Sequence, residues 1–131
     1  MSADPLPALR ALCLALPEVT ERISHGEPTW FVRGKKVFVM LADRHHDDRL
    51  AFWCPAPQGA QRSLVAADPV RYFVPPYVGT RGWLGMFLDV AERGEGEVDW
   101  DAVEQHVEDA YRAVAPRALV ALLDTHPDAV P

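Results

Sequence analysis

The sequence predicts an α+β fold in two layers, an antiparallel β-sheet packed against helices. Three observations carry this. Apolar residues recur at helical spacing near both ends of the 131-residue chain. Between them, alternating apolar stretches are joined by connections too short for the helical crossovers that a parallel sheet requires. One middle stretch, residues 37–41, is apolar on both faces, which marks a central strand with each face covered by something: a helix, a partner or a ligand.

Taken in order, Asp4-Pro5 reads as an N-cap followed by proline at the first helical position. Leu6, Leu9, Leu12, Cys13 and Leu16 then form one stripe, and Pro17 stops the helix. From Val19 to Cys54 the pattern is that of strands. Residues 30–41 read as two strands joined at Arg33-Gly34-Lys35, a hairpin signal. Val37, Val39 and Leu41 are expected on one face, Phe38 and Met40 on the other. A polar turn at Asp43–Asp48 leads to a strand from Arg49 to Cys54.

Residues 57–67 suggest a short helix that closes before Pro69, and residues 70–74 and 83–89 suggest two more strands. Between these last two lies Val74-Pro75-Pro76-Tyr77-Val78-Gly79-Thr80-Arg81-Gly82-Trp83-Leu84-Gly85. Two prolines without amide donors end a strand there, and three glycines permit a sharp change of direction. Glu92 to Val98 is a charged loop. Asp99 can cap a helix whose stripe is Trp100, Val103, Val107, Ala110, Tyr111 and Val114, with Asp101 and Glu104 as an alternative capping box. Pro116 opens a final helix with Leu119, Leu122 and Leu123 inward, and a loose tail is expected from about residue 124.

The length fits one domain, residues 1–131, with a sizeable core. Its 49% hydrophobic content argues against disorder. Cys13 and Cys54 read as two buried, reduced thiols. The start of the chain has no basic n-region, and no apolar run approaches the ~18 residues of a membrane span. A cytoplasmic protein with no membrane partner is expected. The net charge of -6 is uneven. Residues 1–98 hold 11 Lys/Arg against 12 Asp/Glu, whereas residues 99–131 hold 2 against 7, so the acidity belongs to the C-terminal helices.

Two constellations can bind phosphate. Arg33, Lys35 and Lys36 cluster at one hairpin tip and Arg81 sits in the glycine-bearing turn, with Arg62 and Arg71 as further cations. Beside Trp30, Tyr77 and Trp83 they offer phosphate contacts and stacking platforms, about six contacts at most. Lysines at a hairpin tip serve equally as soluble turn residues. Tyr77, Gly79, Arg81, Gly82 and Trp83 outline a ligand or anion turn, a nest of backbone N–H groups with Arg81 as counter-charge. It is no Walker loop, since it lacks the Gly-Lys-Ser/Thr ending and leads into a strand. Read structurally, the same turn simply re-aims the strand.

Chemistry finds less support. His45 and His46 are adjacent, so an extended segment points them to opposite sides, and no metal site is expected. His25 reads as a turn-holding residue. Ser2, Ser24 and Ser63 lie in no Gly-x-Ser-x-Gly elbow, and Cys54 before Pro55 is dulled by apolar surroundings. No catalytic residue, no cofactor and no enzymatic activity are expected.

The succession of His25-Gly26-Glu27-Pro28-Thr29-Trp30-Phe31-Val32, Gly34-Lys35-Lys36-Val37-Phe38, Pro76-Tyr77-Val78-Gly79 with Arg81-Gly82-Trp83, and Tyr111-Arg112 ahead of Ala115-Pro116 resembles the MmcQ/YjbR family. The resemblance runs from about Leu6 to Leu123. It implies a compact two-layer domain similar to secretion-chaperone-like folds, and a DNA-binding role with a winged arrangement; it brings no catalytic residues. The acidic C-terminal helices depart from what DNA binding favours. Two functions are therefore expected. One is DNA binding through Arg33, Lys35, Lys36 and Arg81 in a monomer or weak homodimer. The other is a protein- or small-ligand-binding module that uses the apolar second sheet face (Phe38, Met40, Trp53) or the turn from Pro75 to Gly82.

Overall fold

Among the described residues six strands form one antiparallel sheet, and four helices pack on one side of it. The computed structural model describes residues 4–43 and 48–125. In chain order the elements are α1 (Leu6–Leu14), β1 (Val19–Ser24), β2 (Glu27–Val32), β3 (Lys36–Asp43), β4 (Leu50–Cys54), α2 (Ala60–Ala67), β5 (Tyr72–Phe73), β6 (Leu84–Phe87), α3 (Trp100–Val114) and α4 (Arg117–Asp124). The spatial strand order is β1-β2-β3-β4-β6-β5. Strand β3 is thus interior, as its two apolar faces require.

The two hairpins are built alike. At the β2–β3 turn the Lys35 N–H donates to the Val32 carbonyl across 3.0 Å. The two residues between, Arg33 (φ 55°) and Gly34 (φ 68°), are both left-handed. That geometry matches the right-handed twist of the flanking strands. His25 and Gly26, at φ 53° and 82°, connect β1 and β2 in the same way.

Strand β3 then departs from simple alternation. Trp30 pairs with Val39 but Phe31 pairs with Val37, so Phe38 is an extra residue in a β-bulge. The bulge overturns the expected assignment of faces. Phe38 joins Val39 and Leu41 on the helix side, fully buried, with its ring edge-on to Tyr111 at 5.7 Å. Val37 instead turns to the second face with Met40.

The main core lies between the sheet and the helices. Leu9 and Cys13 of α1, Val103, Val107 and Tyr111 of α3, and Leu119 of α4 meet Trp30, Phe38, Phe52, Leu84 and Met86. Leu64 and Val65 of α2 border the same cluster. Arg10 reaches from α1 to the Glu21 carboxylate at 2.8 and 2.9 Å, and that carboxylate also accepts the Trp30 indole N–H at 2.9 Å. The Tyr111 hydroxyl donates to the Pro17 carbonyl at 2.8 Å, which ties α3 to the end of the first helical segment.

The ends of elements carry smaller differences. Asp4 accepts the Leu6 N–H at 3.0 Å as a cap would, while Pro5 itself occupies the cap position. Asp99 caps α3 through the Ala102 N–H at 3.1 Å. The strands expected at 70–74 and 83–89 shorten to Tyr72–Phe73 and Leu84–Phe87, and Pro75 and Pro76 cannot extend the first of them. In α4 only the Leu119 row faces inward; Leu122, expected inside, is 52% exposed. Helix α4 reaches Asp124, and the tail beyond 125 lies outside the described residues.

Candidate functional site

With the four helices of the described residues on one side, the second face of the sheet has no helical cover among those residues. Its side chains are apolar nonetheless. Ala42, Trp53 and Trp83 form a second, smaller buried cluster, bordered by Val37, Met40, Phe73 and Val78. Trp53 and Met40 are cross-strand partners, and Gly85 faces Trp53 on the other side. Gly85 must be glycine here. A Cβ at that position would lie 2.4–2.6 Å from the Phe73 ring, which packs on the bare backbone and stacks on Phe87 at 4.4 Å.

The turn between β5 and β6 folds over one side of this face. Pro75 and Pro76 end β5, Tyr77 takes a left-handed φ of 67°, residues Gly79–Arg81 make one 3-10 turn, and Gly82 (φ 84°) sends the chain into β6. Gln61 of α2 pins the turn: its side-chain amide donates to the Gly79 carbonyl at 2.8 Å and to the Trp83 carbonyl at 2.6 Å. The turn is therefore fixed by the body of the protein. Val78 and Trp83 point into the second cluster, whereas Tyr77 is 80% exposed.

Turn and sheet together enclose a cleft of about 680 Å³. Phe31, Val37, Met40 and Trp53 supply its floor, and Tyr77, Val78, Arg81 and Trp83 one wall. Ser24, His25 and Glu27 stand at the far rim. The size suits a small organic molecule. Most polar atoms near it are engaged. The Thr29 hydroxyl donates to the Glu27 carbonyl at 3.0 Å, and the Glu27 carboxylate accepts the Asp43 N–H at 2.9 Å. The N–H groups of Arg81, Gly82 and Trp83 donate to carbonyls within the turn, so the nest expected there has spent these donors. The Arg81 guanidinium remains, 5.4 Å from the Trp83 ring and in no ion pair among the described residues.

The basic hairpin tip looks different once folded. Arg33 is bound to Glu18 at 2.9 Å, a partner fifteen positions earlier, which neutralises its charge. Lys35 and Lys36 are exposed and pair with no acid among the described residues. Arg22 donates to the Gly34 carbonyl at 3.0 Å and lies over Phe31 at 3.6 Å. Arg71 is held by Asp68 and the Glu97 carbonyl. Arg33, Lys35 and Lys36 thus share one turn and Arg81 belongs to another, with no contact between the two groups among the described residues.

A second, smaller hollow of about 270 Å³ lies between α2 and α3 and is lined by Cys54, Ser63, His106 and Asp109, among others. Just behind it the Tyr72 hydroxyl meets His106 Nε2 at 2.8 Å, and the two rings are perpendicular. Burial lowers the His106 pKa, against the pull of Asp109 and Asp99, and burial raises that of Tyr72. Burial likewise pushes the Cys54 thiol up to about 12 and raises that of Cys13 further, so neither is a nucleophile at neutral pH. No signal in the sequence announces the Tyr72–His106 pair, whose members are 34 positions apart. Of the polar turn with two histidines, residues 44–47 lie outside the described residues, and among those described no three metal-ligating side chains converge.

Comparison with known proteins places this architecture. A family model described as YjbR matches residues 14–113. Among solved structures the chain is similar to Deinococcus radiodurans protein DR2400, described with family-model domain DUF419. The TM-score is 0.69 at 16% identity, covering 91% of this chain and 87% of the other, a likeness of fold. No curated protein matches the chain. No helix among the described residues is long and apolar enough to cross a membrane.

Proposed function

The chain belongs to the YjbR family, and within that family we propose that it is a non-catalytic binding module whose ligand occupies the cleft on the uncovered face of the sheet. One observation carries the reading. A face bearing Phe31, Met40, Trp53 and Trp83 is roofed at one side by a pinned turn and left open beside it. Apolar surface of this kind, concave and rimmed by a few polar groups, is what ligand sites are made of. Phe38, expected on this face, is not part of it; Val37 takes its place.

The test is a titration of the isotope-labelled protein with anilinonaphthalene sulfonate, followed by amide chemical shifts. Shifts confined to β2, β3, β4 and the turn at 77–83 support the reading. Shifts spread over the helical face, or none, overturn it.

A second reading, DNA binding, is favoured by the two unpaired lysines at the β2–β3 tip. With Arg33 engaged by Glu18, its donors reduce to Lys35, Lys36 and Arg81. Three phosphate contacts give a log–log salt slope of only about −2.7, so any such binding is weak and easily measured as such.

A further inference from the structure

We infer that the ligand of this cleft is a flat apolar monoanion, an aryl carboxylate, seated with its ring against Trp53 and Trp83 and its carboxylate on Arg81. The inference rests on the cleft being the binding site and adds the chemistry of what fills it.

The argument begins with the arginines. Arg10, Arg33, Arg49, Arg71, Arg93 and Arg112 each pair with a carboxylate of the chain. Arg22 donates to a backbone carbonyl and stacks on Phe31. Arg81 pairs with no carboxylate among the described residues and its guanidinium lies 5.4 Å from the Trp83 ring, yet its position is far from free. It ends the 3-10 turn that Gln61 pins, and it lines the cleft beside Tyr77 and Trp83. A guanidinium held at the edge of an apolar hollow, with no carboxylate of its own, complements an anion supplied from outside.

The number of charges follows from what else is present. Among the described residues no lysine lines the cleft, and the N–H groups of residues 81–83 are already used. A phosphomonoester dianion needs more donors than one fork provides. A carboxylate needs two parallel N–H groups, which one guanidinium supplies. The body of the ligand follows from the floor. The Trp53 and Trp83 indoles and the Met40 thioether line it with apolar surface that suits a planar hydrocarbon and offers almost nothing to a sugar's hydroxyls, while the Phe31 ring beside them is already covered by Arg22.

Calorimetric titration of the full chain with 1-naphthoate and with its neutral isostere 1-naphthamide tests this. The acid is expected to bind about tenfold or more tightly than the amide. In Arg81→Gln that preference should fall to within about twofold while amide affinity stays put; Lys35→Gln should keep the preference. Equal affinity of acid and amide for the unaltered protein, or a preference that survives Arg81→Gln, overturns the monoanion while leaving the cleft as a binding site. Binding of neither compound overturns both.

Discussion

Removing the Asp89 carboxylate should cost this protein a large part of its stability. Asp89 follows β6 and its side chain is 3% exposed. Arg49 grips it with Nε at 3.0 and 3.1 Å from the two oxygens and Nη2 at 2.9 Å, and the Leu50 N–H donates to it at 3.1 Å. The same guanidinium lies 3.7 Å over the Phe87 ring, so the clamp fixes the start of β4 against the end of β6 and caps the aromatic stack of the second face. Breaking a buried pair from one side costs about 3–5 kcal/mol. Arg49 would keep Glu95 at 3.2 Å as a partner, so the lower end applies to Asp89→Ala. That is about 3 kcal/mol, of which the orphaned Leu50 N–H accounts for about 1. At about 4 °C per kcal/mol for a domain of this size, Tm falls by about 12 °C. Urea unfolding at two pH values is the assay. Burial pushes the Asp89 carboxyl up, but the bonds from Arg49 and Leu50 outweigh it and hold the pKa below its ordinary 3.8. Stability from a depressed carboxyl is present above the unfolded pKa and lost as pH falls through the folded one. The gap between the unaltered protein and Asp89→Ala should therefore be full at neutral pH and narrow below about pH 4. A cost under about 1 kcal/mol at neutral pH, or one that persists unchanged into acid, would refute the clamp.

Gly85→Ala should destabilise by about 1–3 kcal/mol, because the new Cβ displaces the Phe73 ring; combined with Phe73→Ala it should cost less than the sum, and strict additivity in denaturation would count against that contact. His106 is half-buried and its pKa is lowered, so the unfolded chain takes up a proton first. The urea midpoint should hold steady above about pH 7 and decline as pH falls through about 6.5, and His106→Gln should flatten that window; an identical slope in both proteins would assign the decline to another group. Lys35→Glu with Lys36→Glu should abolish any duplex binding seen by anisotropy at low salt while leaving unfolding unchanged; undiminished affinity would remove the hairpin tip from the DNA reading.

The fold was legible in the sequence because most of it is declared locally. The stripe Val103, Val107, Ala110 and Tyr111 needs only helical spacing, and the β2–β3 hairpin announces itself by a glycine flanked by apolar runs. What was not legible depends on register. Nothing within residues 36–43 says that one residue there is unpaired. The bulge exists only relative to Trp30 and Phe31 of the neighbouring strand. One extra residue was enough to exchange Val37 and Phe38 between faces, and so to move a phenyl ring from the expected site into the core.

Charge obeys the same logic and decides between the two functional readings. A sequence counts cations but does not pair them. Arg33 sits at a hairpin tip and reads as a phosphate ligand until Glu18, across the end of β1, is brought to 2.9 Å. Repeated over the chain, this pairing gives six arginines a carboxylate of their own among the described residues. The exposed cations that remain among the described residues are Arg22, Lys35 and Lys36 around the β2–β3 tip, where Arg22 reaches the Gly34 carbonyl, and Arg62, Arg81 and Arg117 on three other elements, a scatter rather than a stripe along which a phosphate backbone would track. Arg81 alone of these lines a cleft. A single guanidinium beside aromatic surface suits one small anion far better than a polyanion, and that contrast weights the cleft over the hairpin tip.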